Sequence, residues 1–117
     1  MPGTVLIVDD HPSFRAAARK LLEGAGYEVV AEAADGAGAL AAMDAHEPGC
    51  VLLDVQLPDA DGFAIAETLA ARADPPAVVL TSSRVASDFG ALIDGLPVRG
   101  FITKEALSAA ALAELWG

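Results

Sequence analysis

The chain has one cysteine, few cations and no long apolar run, and each shortage removes a class of function. Cys50 stands alone among 117 residues, so no internal disulfide forms, which fits a reducing compartment. Only 7 Lys and Arg face 17 Asp and Glu, for a formal charge of −10. Too few cations remain to track a phosphate backbone, so direct nucleic-acid binding by this domain is not expected. No stretch approaches about 18 consecutive uncharged apolar residues, so no membrane-crossing helix is expected. Met1-Pro2-Gly3-Thr4 has no basic start, and the run from Val5 to Val8 is too short for a signal peptide. A cytoplasmic location is the expectation. Neither a phosphate-loop glycine signature nor a GxGxxG run occurs, so nucleotide binding lacks its usual mark.

What is present is apolar and periodic. Hydrophobic residues make up 54% of the chain and charged residues 21%, a balance that excludes disorder. A chain of this length is expected to form one domain spanning residues 1–117. Such a domain buries roughly two-thirds of its unfolded surface. Short apolar runs alternate with helical patterns. Strands are expected at Val5–Val8, Glu28–Glu32, Cys50–Leu53, Ala77–Leu80 and Arg99–Thr103. Between them, helical spacing predicts helices at Phe14–Ala25, Ala37 to before Pro48, Phe63–Ala71 and 86–93, with a last helix over Glu105–Leu115. Near-continuous apolar strands separated by helices predict an α/β fold: a five-stranded, doubly wound parallel sheet with helices on both faces. The order 2-1-3-4-5 is one common solution, and it sets the carboxyl ends of strands one and three side by side.

That order gathers five polar side chains at one edge. Asp9 and Asp10 leave strand one, Asp54 leaves strand three, Thr81 strand four and Lys104 strand five. Ligand sites of open α/β sheets form at these ends. Two carboxylates about 4 Å apart repel by roughly 4 kcal/mol at an effective dielectric of 20. Such a group raises a pKa or recruits a cation. An all-oxygen donor set points to Mg2+, with Mn2+ as the alternative, held by Asp9, Asp10 and Asp54. Asp10 is read as the direct ligand and Asp9 as binding partly through water. Asp54, alone at its strand end, is the best phosphoryl acceptor. Lys104 supplies a point charge for an anion and Thr81 a hydroxyl donor.

Val5-Leu-Ile-Val-Asp-Asp10, Leu52-Leu-Asp-Val-Gln-Leu-Pro58 with Asp61-Gly62, Val78-Val-Leu-Thr-Ser82 and Gly100-Phe-Ile-Thr-Lys104 occur in that order across nearly the whole chain. This ordered set resembles the receiver domain of two-component response regulators. His11-Pro12-Ser13-Phe14-Arg15 and Asp35-Gly36 resemble receivers that precede helix-turn-helix output modules. The resemblance implies a flavodoxin-like fold and phosphotransfer from a sensor histidine kinase. It implies Asp9 and Asp10 as the acidic metal pair, Asp54 as acceptor, Thr81 as switch hydroxyl, Lys104 as phosphate partner and Phe101 as switch aromatic. It further implies a changing surface of fourth helix, fifth strand and fifth helix, and pairing into a homodimer. The output module or partner protein is expected to lie outside this chain. Glu105 departs from the family, whose members often carry proline there; its carboxylate is placed to draw Lys104 outward.

Plainer readings stand beside these. The alternatives are that the aspartates are only local caps, Thr81 a cap, Lys104 a solvated cation and Phe101 a core aromatic, and the site readings are preferred to these for the acids, Thr81 and Lys104. His11 is read as a surface histidine at a helix start, and Cys50 and Met43 as buried fillers. Two other functions compete with the phosphoacceptor. One is a degenerate receiver that only binds proteins. The other is a metal-dependent phosphatase of the haloacid dehalogenase type, which needs an Asp-x-Asp pair after strand one rather than Asp9-Asp10.

Overall fold

Side-chain alternation along the central strands determines how the layers stack in the computed structural model, which describes residues 3–83 and 95–116. Strand β1 (Thr4–Val8) sends Val5 and Ile7 to one face and Leu6 and Val8 to the other. All four are fully buried, so both faces are covered and the run has no polar side. Helix α1 (Pro12–Gly24) follows, then β2 (Glu28–Ala33), α2 (Gly36–His46), β3 (Cys50–Asp54), α3 (Gly62–Ala70), β4 (Ala77–Ser82) and β5 (Gly100–Thr103). A single 3-10 turn (Lys104–Ala106) leads to the last described helix, α4 (Ala109–Trp116). The strands pair in parallel in the order β2-β1-β3-β4-β5, as expected. One core layer packs Leu6, Val51 and Leu53 against Met43 of α2 and Leu69 of α3. The other packs Val5, Ile7 and Val79 against Leu22 of α1 and Leu112 of α4. Trp116 closes that second layer, its ring 5.4 Å from Tyr27 in an edge arrangement. Among the described residues, no helix is long and apolar enough to cross a membrane.

Several expected boundaries shift, for local reasons. Helix α1 starts at Pro12 rather than Phe14, because proline is preset for a first helical position and gives up no needed donor. The last helix does not begin at Glu105. Leu107 takes extended backbone, and the Ser108 hydroxyl then accepts from the Ala111 amide to start α4 afresh. Asp54 and Thr81 were expected just past their strands, yet both lie within them as register partners. The helix expected at 86–93 lies outside the described residues.

The crossovers are pinned by carboxylates. Asp35 caps α2 through the Gly38 amide at 2.7 Å, and Asp61 caps α3 through the Phe63 amide at 2.7 Å. Asp59, in the β3–α3 loop, accepts from Gly36 and Ala37 at 2.7 and 3.0 Å. That loop therefore holds the first turn of α2 as well as the end of β3.

Gly62 reads in sequence as a turn residue, but it is the buried first residue of α3. Its amide donates to the Val55 carbonyl at 2.9 Å, and an added Cβ would collide with the Asp54 carbonyl oxygen. Gly62→Ala is therefore expected to lower stability by roughly 1–3 kcal/mol, because backbone rather than a pliable side chain must give way. Gly24→Ala, where nothing lies within 4 Å of the new methyl, is the control and should be neutral or stabilising. Urea midpoints of the two variants check the contrast, and equal midpoints would refute it.

Candidate functional site

The carboxyl ends of β1, β3, β4 and β5 converge because the sheet is parallel and its order places β3 between β1 and β4. Asp9 follows β1 directly and is fully buried; Asp54 ends β3 and is 4% exposed. Each carboxylate divides its oxygens the same way. Asp9 Oδ1 accepts from the His11 amide at 2.8 Å, and Asp54 Oδ1 accepts from the Gln56 amide at 3.0 Å. The second oxygen of each turns to Lys104, whose Nζ lies 2.6 Å from Asp9 Oδ2 and 3.3 Å from Asp54 Oδ2. The Asp9 contact is one of charge, since Oδ2 accepts no aligned hydrogen bond. Lys104 thus turns inward, and Glu105 does not draw it out. The Lys104 Nζ also sits 4.4 Å from the centre of the Phe14 ring, which supports the ammonium from α1.

The remaining expected residues fall around this pair. Asp10 is exposed, with its Oδ1 3.0 Å from His11 Nδ1. Thr81 pairs in register with Asp54, is fully buried, and its hydroxyl has no hydrogen-bond partner. A buried hydroxyl without a partner carries a desolvation cost that an incoming acceptor would relieve. Phe101 is not part of the cluster. It pairs with Leu80, one residue before the Ile102 that opposes Thr81, and packs half-buried against the α2/α3 core layer.

Two residues that the sequence pattern assigns no site role join the cluster. In the sequence Phe14 stands as the start of an expected helix and within the His11–Arg15 motif, with no site role. His11 was read as a surface histidine at a helix start. It is exposed and precedes α1, but its Nδ1 also lies 2.9 Å from Asp9 Oδ1. The signal available was its adjacency to Asp9 and Asp10, which sets three ligand-type side chains in a row. Arg15 adds an anchor by donating to the Asp9 carbonyl at 2.6 Å while pairing with Glu32 on β2.

Burial dominates the electrostatics of Asp54. It pushes the carboxyl above its ordinary value, the Asp9 charge adds to it, and the Gln56 amide and Lys104 offset only part. Burial acts against Asp9 as well, yet Lys104 and the two His11 donors overcome it and hold that carboxyl low. The two carboxylates in turn overcome burial at Lys104 and raise its pKa. One cation therefore serves two buried acids, with Asp10 nearby, and the centre is short of positive charge. Ligand atoms of Asp9, Asp10, His11 and Asp54 all lie within 4.8 Å of one another. Three carboxylates in such a set suit Mg2+ or Mn2+, and the charge deficit at Asp54 favours the ion.

The comparisons with known proteins agree with this geometry. The family model described as the response regulator receiver domain matches residues 5–115. The chain is 38% identical over 82 residues to the transcriptional regulatory protein PdtaR of Mycobacterium tuberculosis, covering 70% of this chain and 40% of that protein. It is 30% identical over 100 residues to the DNA-binding transcriptional activator EvgA of Escherichia coli, covering 86% of this chain and 49% of that one. The chain thus spans less than half the length of these two curated relatives. Among solved structures, the signal receiver domain of NarL from Mycobacterium tuberculosis superposes with a TM-score of 0.87 at 31% identity, covering 97% of this chain and 94% of that one.

Metal-free protein should show the charge deficit directly. Because the folded Asp54 pKa is raised, the folded state holds more protons than the unfolded one as pH rises past the ordinary value of 3.8. The associated stability is complete below that value and is lost as pH rises through the folded pKa. In chelator, Asp54→Asn is therefore expected to be more stable than the parent at neutral pH, the gap closing below about pH 4. Lys104→Ala should instead lose roughly 3 kcal/mol at neutral pH, since two buried carboxylates are left without their cation. Urea midpoints measured against pH in EDTA check both signs.

Proposed function

The chain belongs to the response regulator receiver domain family, and on that premise we propose that it takes a phosphoryl group from a sensor histidine kinase onto Asp54. Residues 1–117 form one phosphoacceptor unit in this reading. The observation that carries it is the buried Asp54 carboxylate at the end of β3, with Lys104 at 3.3 Å and the unpartnered Thr81 hydroxyl in register beside it.

In the transfer, an Asp54 carboxylate oxygen forms the new O–P bond as the P–N bond of the kinase phosphohistidine breaks. The imidazole leaves with the bonding electron pair and takes a proton from solvent. Asp9, Asp10 and Asp54 would hold Mg2+, which would supply positive charge for the phosphoryl oxygens during transfer. Lys104 holds the acceptor carboxylate before reaction and follows the added negative charge afterwards. The Arg15 contact fixes the Asp9 carbonyl, and the Gln56 amide orients Asp54. Asp54 is consumed as an acceptor and not regenerated as a catalyst in the same step, so the chain acts as a signalling acceptor and not as an enzyme.

Thr81 is the switch. Its buried hydroxyl gains an acceptor only once a phosphoryl oxygen is present, so the adduct favours the state in which Thr81 moves toward it. Phe101, two residues along β5 from Thr103, then turns inward. The surface that carries β5 and α4 then changes its population. Moving that balance from 1:99 to 99:1 needs about 5.5 kcal/mol of differential stabilisation, within reach of a few charge-assisted hydrogen bonds. The changed surface pairs two copies or engages an output module, in line with the transcriptional regulators among its relatives. A cytoplasmic setting gives access to the kinase.

A degenerate binding module is disfavoured because acceptor, acids, lysine and hydroxyl are all in place. A haloacid-dehalogenase-type phosphatase is disfavoured because the acids after β1 are the adjacent pair Asp9-Asp10 and not an Asp-x-Asp pair.

Acetyl phosphate with Mg2+ is expected to add one phosphoryl group to the protein, read by intact mass and removed by hydroxylamine. Asp54→Asn should gain none at the same exposure, and an equal gain would move the acceptor elsewhere. Thr81→Ala should still accept the group. With beryllofluoride and Mg2+, however, its amide shifts should be confined to the neighbourhood of Asp54, whereas the parent's extend along β5.

A further inference from the structure

We propose that Asp59 is a positioning residue for phosphoryl transfer: by tying the tip of the β3–α3 loop to the first turn of α2, it keeps the Gln56 amide on the Asp54 carboxylate. The proposal rests on the receiver reading above and adds to it a residue outside the charged cluster.

The loop is a small closed arch. Its feet are Gln56 and Asp61, paired as an isolated antiparallel bridge. Val55, one residue earlier, donates to the Thr81 carbonyl at 3.1 Å and accepts from the Gly62 amide at 2.9 Å. Neither bond is made by Gln56, which is exposed and whose amide donates to Asp54 Oδ1 at 3.0 Å. The direction of that amide therefore follows the arch. Asp59, on the crown, accepts from the Gly36 amide at 2.7 Å and from the Ala37 amide at 3.0 Å.

The start of α2 is a firm anchor for the crown. A Cβ on Gly36 would lie 2.9 Å from the Ala60 Cβ and 3.0 Å from the Ile65 Cδ1, so the loop and α3 are seated against the helix with no room for a side chain. No acid stands in the first turn of α2 itself. The negative charge at that helix end comes from Asp35, which caps Gly38, and from Asp59. Asp35 belongs to the segment that leads into α2. Asp59 instead reaches across 23 and 22 residues, from the loop beside the acceptor. The two amides hold the Asp59 carboxyl below its ordinary value, so the tie is charged and closed at neutral pH.

Transfer depends on the direction in which the acceptor oxygens point, and a small misplacement of a reacting group costs a large factor in rate. The sheet fixes the Asp54 backbone whatever the loop does. Lys104 reaches the carboxylate on a flexible stem and follows it. The Gln56 amide is carried by backbone, and it stays in place only while the arch does. Releasing Asp59 therefore leaves every charge of the centre present but frees the carboxylate to turn. The plainer alternative is that Asp59 is only a second cap for α2.

Asp35→Ala separates the two, because it removes a cap from the same helix without touching the arch. Urea midpoints should fall in both Asp35→Ala and Asp59→Ala. Initial rates of acetyl phosphate uptake at saturating Mg2+, read by intact mass, should fall roughly tenfold in Asp59→Ala and stay within about twofold of the parent in Asp35→Ala. Asp59→Asn keeps an acceptor oxygen and should recover part of the lost rate. In metal-free protein the Gln56 amide proton should shift and exchange faster in Asp59→Ala, and remain parent-like in Asp35→Ala. Equal rates in the two alanine variants, no recovery in Asp59→Asn, or a parent-like Gln56 amide in Asp59→Ala would overturn the proposal. Phosphoryl uptake by the parent would then leave the receiver reading standing. No uptake by the parent would overturn that reading and this role with it.

Discussion

The centre of this molecule is a shortage of positive charge. Two buried carboxylates, on β1 and β3, share one ammonium from the end of β5. Lys104 comes from a strand end far along the chain from both carboxylates, 50 positions after Asp54 and further still from Asp9, so the sheet must be complete before the centre exists. The carboxylates cannot separate, because β1 and β3 are paired neighbours with Val8 opposite Leu53. They cannot both escape to water, because Asp9 is fully enclosed and Asp54 nearly so. The resulting tension falls on Asp54, whose carboxyl is pushed upward while that of Asp9 is held down. A divalent cation and then a phosphoryl group are the two natural ways to discharge it, one by adding positive charge and the other by converting the carboxylate itself.

The plain and the functional readings of the acids turn out to be the same geometry. Asp9 and Asp54 each bond the amide two residues on, as a local turn would require. That bond fixes one oxygen and leaves the other aimed at Lys104. A local turn thereby orients the acceptor without any further packing device. Asp59 extends the effect, since the loop that leaves Asp54 is clamped to the first turn of α2. Gly62 closes it, bringing α3 against the Asp54 carbonyl more tightly than any side chain permits.

In the proposed switch, the signal would leave the centre through β4 and β5. Thr81 lies in register with Asp54 on one side and Ile102 on the other, so a movement of its hydroxyl is a movement of a sheet residue and not of a free loop. Its lack of a partner in the resting arrangement gives the adduct something to recruit. On the opposite side, Arg15 ties the Asp9 carbonyl to Glu32, and Arg19 extends the same ion pairing to Glu23. The centre is therefore braced toward α1 and β2 and left with an unmet hydrogen bond toward β4.

Local pattern alone specified much of this protein. Apolar runs flanked by helical spacing determined the strand count, the parallel sheet and the edge at which Asp9, Asp54, Thr81 and Lys104 would meet, because burial on both faces leaves few arrangements for such strands. Tertiary structure decided what depends on partners distant in the chain. The split of the last helix turned on where Leu107 and Ser108 had to lie to bring Lys104 inward and Leu112 into the core. The inward turn of Lys104 despite Glu105, the Phe14 ring beside its ammonium and the unpartnered hydroxyl of Thr81 arise only when four strand ends converge. The same holds for His11: its neighbours in sequence were legible, but its rotamer over two carboxylates is set by the buried position of Asp9, which periodicity does not encode.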